Sequence, residues 1–294
     1  MAIAFAFTSA VLWGSSAVIN RLGLLRMPSV VGAFISMLVS LVLIMTLALI
    51  FDFHELVSVP AVAFGWLALL GVLSFLVGRY MNMSSIRMAG SSRATPVVSI
   101  SPLFAATFAF IFLGERPTAM VIVGTLAVIG GIILIVTQGL ADTRNNPTGK
   151  RAALGTLVAL GAALGYGASN VVSRHVVTSY TTPLVGSAFS LLFGTIYLLP
   201  LAVRAWPQMA GVPKGDMRFI AVSGLMQGVG VTTMMAALQK VPVAVAVPIG
   251  SLNPLVALAL AAVFLGKLEK LTPRIIGGTL LAVGGVALVV VGRG

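Results

Sequence analysis

Residues 13–21 read WGSSAVINR, and residues 166–174 read YGASNVVSR. The aromatic residue, the Gly, one Ser, one Val and the Arg keep their places across an offset of 153 positions. Three further pairs of segments follow in the same order at nearly this offset: PVVSISP at 96–102 with PIGSLNP at 248–254, FLGE at 112–115 with FLGK at 264–267, and GTL at 124–126 with GTL at 278–280. Four ordered matches indicate an internal duplication of the chain.

The composition predicts that most of this chain lies in a membrane. Of the 294 residues, 59% are apolar and 8% are charged, whereas soluble domains average about 45–50% apolar and about 25% charged residues. Apolar stretches of about 20 residues, long enough to span a hydrocarbon core about 30 Å thick, recur throughout. The first begins at Ala2 without the basic leader of a signal peptide, so it is predicted to be a membrane helix. We therefore expect an all-α integral membrane protein.

Ten membrane spans are predicted, and helices are favoured because long apolar runs differ from the short alternating segments of a membrane β-barrel. The spans cover residues 2–22, 29–51, 62–86, 92–113, 118–137, 153–173, 182–203, 218–239, 243–265 and 274–292. A polar linker at 140–151 separates a first five-helix repeat at 1–139 from a second at 152–294. Because five is odd, the second repeat is expected to cross the membrane in the opposite direction.

The basic residues divide unevenly between the two predicted sides of the membrane. With Arg79 set aside, one side carries 13 of them and the other side carries 4. The rich side has Arg21, Arg26, Arg87, Arg93, Arg144, Lys150, Arg151, Arg204, Lys214, Arg218, Lys267, Lys270 and Arg274; the poor side has Arg116, Arg174, Lys240 and Arg293. The positive-inside rule then predicts that both termini lie outside the cytoplasm. The net charge of +12 comes from residues scattered singly between apolar segments, so no nucleic-acid partner is expected.

The ordered motifs resemble the EamA family of the drug/metabolite transporter superfamily. The resemblance rests on the WGSS element of the first span and on the PVVSISPLF run that leads to FLGE and a Gly-rich span, and it covers almost the whole chain. It implies a ten-helix inverted-repeat permease with a central cavity, related to bacterial exporters of amino acids and other metabolites. It therefore implies a bacterial inner membrane location. Ser101 and Ala163 stand where exporters of aromatic amino acids favour bulky rings, which weakens a tryptophan- or phenylalanine-specific interpretation.

Candidate binding residues begin with the duplicated element itself. Substrates of inverted-repeat transporters bind near the midplane between the repeats. Trp13, Ser16 and Asn20 share one helix face by their spacing, and so do their counterparts Tyr166, Ser169 and Ser173, with Asn170 beside them. The Ser residues could equally serve close helix packing, whereas a buried Asn needs either a cavity or an interhelical hydrogen bond.

Two prolines mark a second set of candidates. Pro102 and Pro254 fall near the centres of the fourth and ninth spans, where each is predicted to kink its helix and act as a hinge. The neighbouring polar residues could contact the substrate there, or the kinks could merely shape the helix bundle. These candidates are Ser99, Ser101, Ser251 and Asn253.

The remaining candidates lie in the third and eighth spans. Gln227 needs a polar partner in hydrocarbon, which favours a cavity position. Arg79 could hold a substrate carboxylate or phosphate, or it could extend toward the basic side of the membrane. Tyr80 and Asn82 are weaker candidates nearby.

The positions of the acidic residues restrict the solute. All six fall in loops or at span ends, so no carboxylate is available within a span for a proton relay or a cation site. We therefore expect a neutral, zwitterionic or anionic solute. No cofactor, catalytic residue or metal site is predicted, and monomer and homodimer both stay open.

The expected function is secondary transport, by an exporter or permease, of a small polar metabolite such as an amino acid. A nucleotide-sugar or phosphate-ester exchanger is the alternative within transport, and it should place basic residues such as Lys240 toward the cavity of the second repeat. A membrane-embedded enzyme is the alternative outside transport. Its polar cluster would be DFHE at 52–55, which has one His and is thin for a metal site that usually needs three or four protein ligands.

Overall fold

The computed structural model is helical throughout the part of the chain that it describes, which comprises residues 1–23, 27–89, 94, 97–139, 150–209, 214–265 and 273–292. Its helices are α1 Ala2–Gly23, α2 Ser29–Phe51, α3 Phe53–Val57, α4 Ala61–Gly71, α5 Met81–Ala89, α6 Ser101–Leu113, α7 Ala119–Gly139, α8 Lys150–Ser179, α9 Pro183–Ala205, α10 Lys214–Lys240, α11 Val243–Gly250, α12 Asn253–Leu265 and α13 Pro273–Val291. A π-helical segment, Val72–Tyr80, joins α4 to α5, and a 3-10 turn, Trp206–Met209, follows α9. Most of the predicted linker, residues 140–149, lies outside the described residues.

Six of the described helical stretches are long and apolar enough to cross a membrane: Ala2–Asn20, Val30–Phe51, Ala61–Ser85, Ala153–Ser179, Pro183–Ala205 and Gly215–Lys240. They correspond to the first three predicted spans of each repeat. The other four predicted spans correspond to shorter apolar helices. Large apolar side chains such as Ile50, Phe112 and Leu280 point outward, with 66%, 73% and 69% of their surfaces exposed. An outer surface of this kind suits lipid rather than water, and the chain is an integral membrane protein.

The helical path of the fourth and ninth predicted spans is interrupted next to the prolines at which kinks were predicted. Turns at 99–100 and 251–252 interrupt the helical path, and α6 and α12 begin directly after them. Pro102 and Pro254 therefore occupy the second positions of new helices, not helix interiors. The prolines are tolerated there because the first turn of a helix leaves its N–H groups without intrahelical partners, so the missing N–H of Pro costs no helical hydrogen bond.

Helices α7 and α13 contact each other through small residues. A Cβ placed on Gly124 would lie 2.6 Å from the carbonyl oxygen of Gly285, and one placed on Gly131 would overlap the carbonyl oxygen of Gly278. As residue numbers rise along α7 they fall along α13, so the two helices run antiparallel. Only glycine allows two backbones to approach this closely.

The first helix of each predicted repeat packs against a helix of the other repeat, the one that begins after its helix break. Gly14 of α1 faces α12, where an added Cβ would lie 2.5 Å from the carbonyl oxygen of Asn253. Gly167 of α8 faces α6, where an added Cβ would lie 2.7 Å from the Cβ of Phe104. Gly14 and Gly167 are counterparts in the duplicated element, so equivalent residues make equivalent contacts. Helices α1 and α8 consequently line the space between the two halves of the chain.

Candidate functional site

A cavity of about 520 Å³ lies between helices from both halves of the chain. Its polar lining comes from α1, the π-helical segment, α5, α8, α9, α10 and the two helix breaks. The polar and aromatic lining residues are Trp13, Ser16, Asn20, Ser74, Phe75, Arg79, Asn82, Ser99, Ser101, Tyr166, Ser169, Asn170, Ser173, Ser190, Gln227, Ser251 and Asn253. Apolar surface is supplied mainly by α10, through residues such as Met234 and Leu238.

Most of the sequence-predicted binding residues meet at this cavity. The two exceptions among the named candidates are Tyr80 and Pro102. Tyr80 keeps 37% of its surface exposed, whereas its neighbour Arg79 lines the cavity. Pro102 is buried in the first turn of α6 without reaching the lining, while Pro254 does line the cavity.

Arg79 enters the cavity wall from the π-helical segment. Its Nη2 atom donates a hydrogen bond to the amide oxygen of Gln227 on α10. The Gln227 amide nitrogen lies 3.5 Å from the hydroxyl of Ser223, and that hydroxyl donates to the side-chain oxygen of Asn20 at 3.1 Å. A polar chain thus joins Arg79 to α1 through two residues of α10. Of the two sequence alternatives for Arg79, the geometry is that of a cavity residue.

The π-helical geometry is itself a feature of the site. Such segments are rare and usually a single turn, and they concentrate at functional sites. Here the segment spans nine residues and carries Ser74, Phe75 and Arg79 into the lining. We find no pattern in residues 72–80 that predicts it. An α-helix across the same residues would change the angular spacing between Phe75 and Arg79.

Aromatic rings form part of the cavity wall by lying against glycines. The Tyr166 ring covers Gly78, where an added Cβ would lie 2.6 Å from Cε1, and the tyrosine interacts with Asn82 and lies close to Arg79. The Trp13 indole covers Gly230 on α10 in the same way, with an added Cβ 2.7 Å from Nε1. The two aromatic counterparts of the duplicated element therefore face the cavity from different helices.

The duplicated serines bond to their own helices. Ser16 donates to the carbonyl oxygen of Trp13 at 2.9 Å, and Ser169 donates to the carbonyl oxygen of Tyr166 at 2.9 Å. Asn170 donates to that same Tyr166 oxygen at 2.8 Å. Each hydroxyl keeps a lone pair with which to accept a hydrogen bond from a solute, and the Asn170 side-chain oxygen is an acceptor as well. The cavity is therefore lined by neutral hydrogen-bonding groups.

Among the lining residues that the structure describes, one side chain, that of Arg79, is charged. The ion pair found among the described residues lies elsewhere, between Arg174 and Glu115, with Nε and Oε1 2.7 Å apart. Glu115 also accepts from the backbone nitrogen of Val243 at 3.1 Å, and Arg174 donates to the carbonyl oxygen of Val241 at 2.6 Å. This pair joins α8 and the segment after α6 to the junction between α10 and α11, and it does not line the cavity.

Several lining residues were not among the sequence candidates. Phe75 and Met234 could not be predicted from the sequence, because the same apolar residue types occur on helix faces toward a cavity and on faces toward lipid. Within the described part of the chain, no group of three or more His, Cys, Asp or Glu side chains is placed to hold a metal ion.

Comparisons with known proteins place this architecture in context. The model of the EamA-like transporter family matches residues 1–137 and 153–291. An uncharacterized transporter of Clostridium kluyveri is 25% identical over 69% of this chain and 65% of its own length. A probable terminal-alkyne amino-acid exporter of Streptantibioticus cattleyicolor is 28% identical over 67% of this chain and 63% of its own length. The matched region thus spans just under two thirds of both relatives.

A solved crystal structure shares the fold. It superposes on 99% of this chain and 97% of its own with a TM-score of 0.78, at 18% sequence identity. At that identity the likeness concerns the arrangement of the helices. It extends across both halves of the chain, including the region that surrounds the cavity.

Proposed function

We propose that this chain, which belongs to the EamA-like transporter family, is a secondary transporter that carries a small polar metabolite such as an amino acid across a bacterial inner membrane. The observation that carries the proposal is the cavity of about 520 Å³, whose described lining has neutral polar groups and one arginine, inside a bundle of predominantly apolar helices. Polar groups in a membrane interior are costly unless they serve a solute or each other. The volume of the cavity falls within the range of about 300–1,000 Å³ typical of small-molecule sites.

The mechanism we propose is alternating access by two inverted five-helix repeats. The contact of Gly124 with Gly285 and that of Gly131 with Gly278 exchange counterpart positions between the repeats, as a two-fold relation would require. The equivalent packing of Gly14 and Gly167 supports the same relation. Rocking one repeat against the other would open the cavity first to one side and then to the other, with the helix breaks at 99–100 and 251–252 as hinges.

The amino-acid class is favoured over sugar nucleotides by the charge of the lining. A nucleotide diphosphate sugar carries two negative charges, and the described lining offers one cation. Lys240, the basic residue that the exchanger alternative required, ends α10 and does not line the cavity. The relative from Streptantibioticus cattleyicolor is named as a probable exporter of an amino acid, which is consistent with this choice.

Counterflow in proteoliposomes tests the proposal. Vesicles loaded with one unlabelled amino acid at a time should accelerate uptake of the same labelled amino acid for at least one member of a panel. Ser169→Phe, which fills the cavity, should abolish the acceleration, whereas Leu280→Phe on the lipid-facing surface should retain it. Melting temperatures of both variants report whether they fold. Acceleration by internal sugar nucleotide and by no amino acid would overturn the proposed substrate class.

A further inference from the structure

The surroundings of Arg79 are incomplete for a buried guanidinium. Its hydrogen-bond acceptor in the described structure is the neutral amide of Gln227, and no carboxylate of the described residues contacts it. A charge in the apolar slab is unfavourable unless it is paired or hydrated. Arg174 of the same fold is paired with a carboxylate, that of Glu115. Arg79, in contrast, is held in the cavity wall without a carboxylate partner among the described residues.

The geometry of the contact leaves a place for an anion. A guanidinium has five N–H donors in a planar fork, and it can bind a carboxylate through two of them at once. Gln227 accepts the hydrogen bond from Nη2 through its one amide oxygen. The Gln227 amide nitrogen contacts the hydroxyl of Ser223, which in turn donates to Asn20. The Gln227 oxygen thus occupies a position that a carboxylate oxygen of the solute could take.

The lining discriminates by the sign of the solute's charge. Arg79 is the single charged residue among the lining residues that the structure describes, and the others are neutral. An ammonium group would have to be satisfied by Ser, Asn and backbone oxygens, without an ion pair. A carboxylate would gain a charge-assisted hydrogen bond, which is about twice as strong as a neutral one.

Resting on the proposed function, we propose that the transporter recognises its solute by a carboxylate bound to Arg79, with Gln227 as the exchangeable neutral partner that positions the guanidinium between transport events. The ammonium group of an amino acid is not required for recognition. The substrate class is therefore the small organic carboxylates, whether zwitterionic or purely anionic.

Matched probes test the carboxylate directly. Leucine carries both charges, 4-methylpentanoate lacks the amino group, and leucinamide lacks the carboxylate. Alanine and phenylalanine are tested with their corresponding deaminated acids and amides. Melting temperatures of the detergent-purified protein at millimolar probe should rise with at least one amino acid and with its deaminated acid, but not with its amide. Stabilisation by the amides alone, by glycerol 3-phosphate alone, or by no carboxylate would overturn the inference.

A single substitution tests the role of Gln227. Gln227→Glu places a permanent carboxylate next to Arg79 with almost no change in shape, so it should compete with the solute. We expect at least about tenfold weaker binding of the stabilising carboxylates, with the melting temperature of the unliganded protein unchanged or raised. Gln239→Glu is the matched control for carboxylate binding, since Gln239 lies on the same helix, is exposed and does not line the cavity. This control loses the hydrogen bond that the Gln239 amide nitrogen donates to the carbonyl oxygen of Val177 at 3.2 Å, so a lower melting temperature is expected for it, whereas its carboxylate binding should equal that of the wild type. Equal carboxylate binding by the wild type and Gln227→Glu would contradict the inference.

The two proposals fail in different ways. If counterflow occurs and amides exchange as fast as carboxylates, the transport proposal stands and the carboxylate inference is wrong. If carboxylates stabilise the protein but no counterflow occurs with any solute, the binding inference stands and the transport proposal is wrong.

Discussion

Arg174 meets a carboxylate, whereas Arg79 meets an amide. The partners of the two arginines on α10, Leu238 and Gln227, are eleven residues apart, or about 16 Å by helical rise. Around Arg174 the charges are neutralised and helix ends are tied together. Around Arg79 a positive charge is held in a cavity by neutral groups. One arginine is therefore part of the scaffold, and the other has an electrostatic requirement that a solute can meet.

The duplication sharpens this contrast. The counterpart of Arg174 is Arg21, but the counterpart of Glu115 is Lys267, so the second copy of this pair would bring two cations together. The offset of 153 relates Arg79 to Thr232, whose hydroxyl lies 2.7 Å from that of Ser187. By sequence, neither arginine arrangement is repeated at the counterpart positions. The two repeats have glycines and prolines at corresponding positions, whereas their charged residues differ.

The largest effect is expected at the cavity arginine. Arg79→Gln removes the charge and keeps a hydrogen-bonding side chain, so counterflow of carboxylates should fall by about 10–100-fold. The melting temperature should be unchanged or higher, because a charge without a carboxylate partner has been removed from an apolar environment. Arg79→Lys should retain part of the activity, since it restores the charge without the planar fork. Wild-type counterflow in Arg79→Gln would place the solute elsewhere.

The scaffold arginine should respond in the opposite way. Glu115→Gln leaves Arg174 without its counterion in a largely buried position, where the two side chains are 22% and 11% exposed, and should lower the free energy of unfolding by about 2–4 kcal/mol. The ratio of carboxylate to amide binding should not change. Thermal unfolding of Glu115→Gln, Arg174→Met and the double variant gives the coupling energy. A coupling energy near zero, or an altered carboxylate-to-amide ratio, would break the distinction between the two arginines.

The sequence allowed prediction of those cavity residues whose polar side chains are unfavourable in an apolar span. Asn20, Asn170 and Gln227 stand out in apolar spans because burying them unpaired is unfavourable, and all three line the cavity. The repeat then added Tyr166 and Ser169 by correspondence. The positions of the long spans followed from hydrophobic length alone.

Other features depend on tertiary structure and had no local signal. The contact between Arg79 and Gln227 joins residues 148 positions apart, so no spacing rule predicts it. Arg79 lines the cavity from the π-helical segment 72–80 and its neighbour Tyr80 does not, and no local pattern distinguishes the two positions. The interruptions at 99–100 and 251–252 lie just before the prolines, a position that sequence alone did not reveal.

The antiparallel contact of α7 and α13 gives a smaller effect that belongs to the scaffold. Gly131→Ala should destabilise the protein by about 1–2 kcal/mol, since its Cβ would overlap the Gly278 carbonyl and the backbones must separate. Gly130→Ala is the matched control. Its Cβ would meet only a side-chain atom of Leu281 at 3.5 Å, so it should be neutral or stabilising by up to about 1 kcal/mol. Equal melting temperatures for the two variants would show that the close approach contributes little.

The smallest effect is expected at Tyr80, which adjoins Arg79 in sequence but keeps 37% of its surface exposed outside the cavity lining. Tyr80→Phe removes a hydroxyl from that exposed position, and carboxylate counterflow should stay within about twofold of the wild type, the change expected of a surface substitution. Tyr166→Phe removes the hydroxyl of a tyrosine that lines the cavity, interacts with Asn82 and lies close to Arg79, so a loss of several-fold is expected, because a cavity hydrogen bond is worth about 1 kcal/mol. The pair isolates proximity in space from proximity in sequence. A larger loss for Tyr80→Phe than for Tyr166→Phe would mean that the solute approaches Arg79 from the opposite face of the helix.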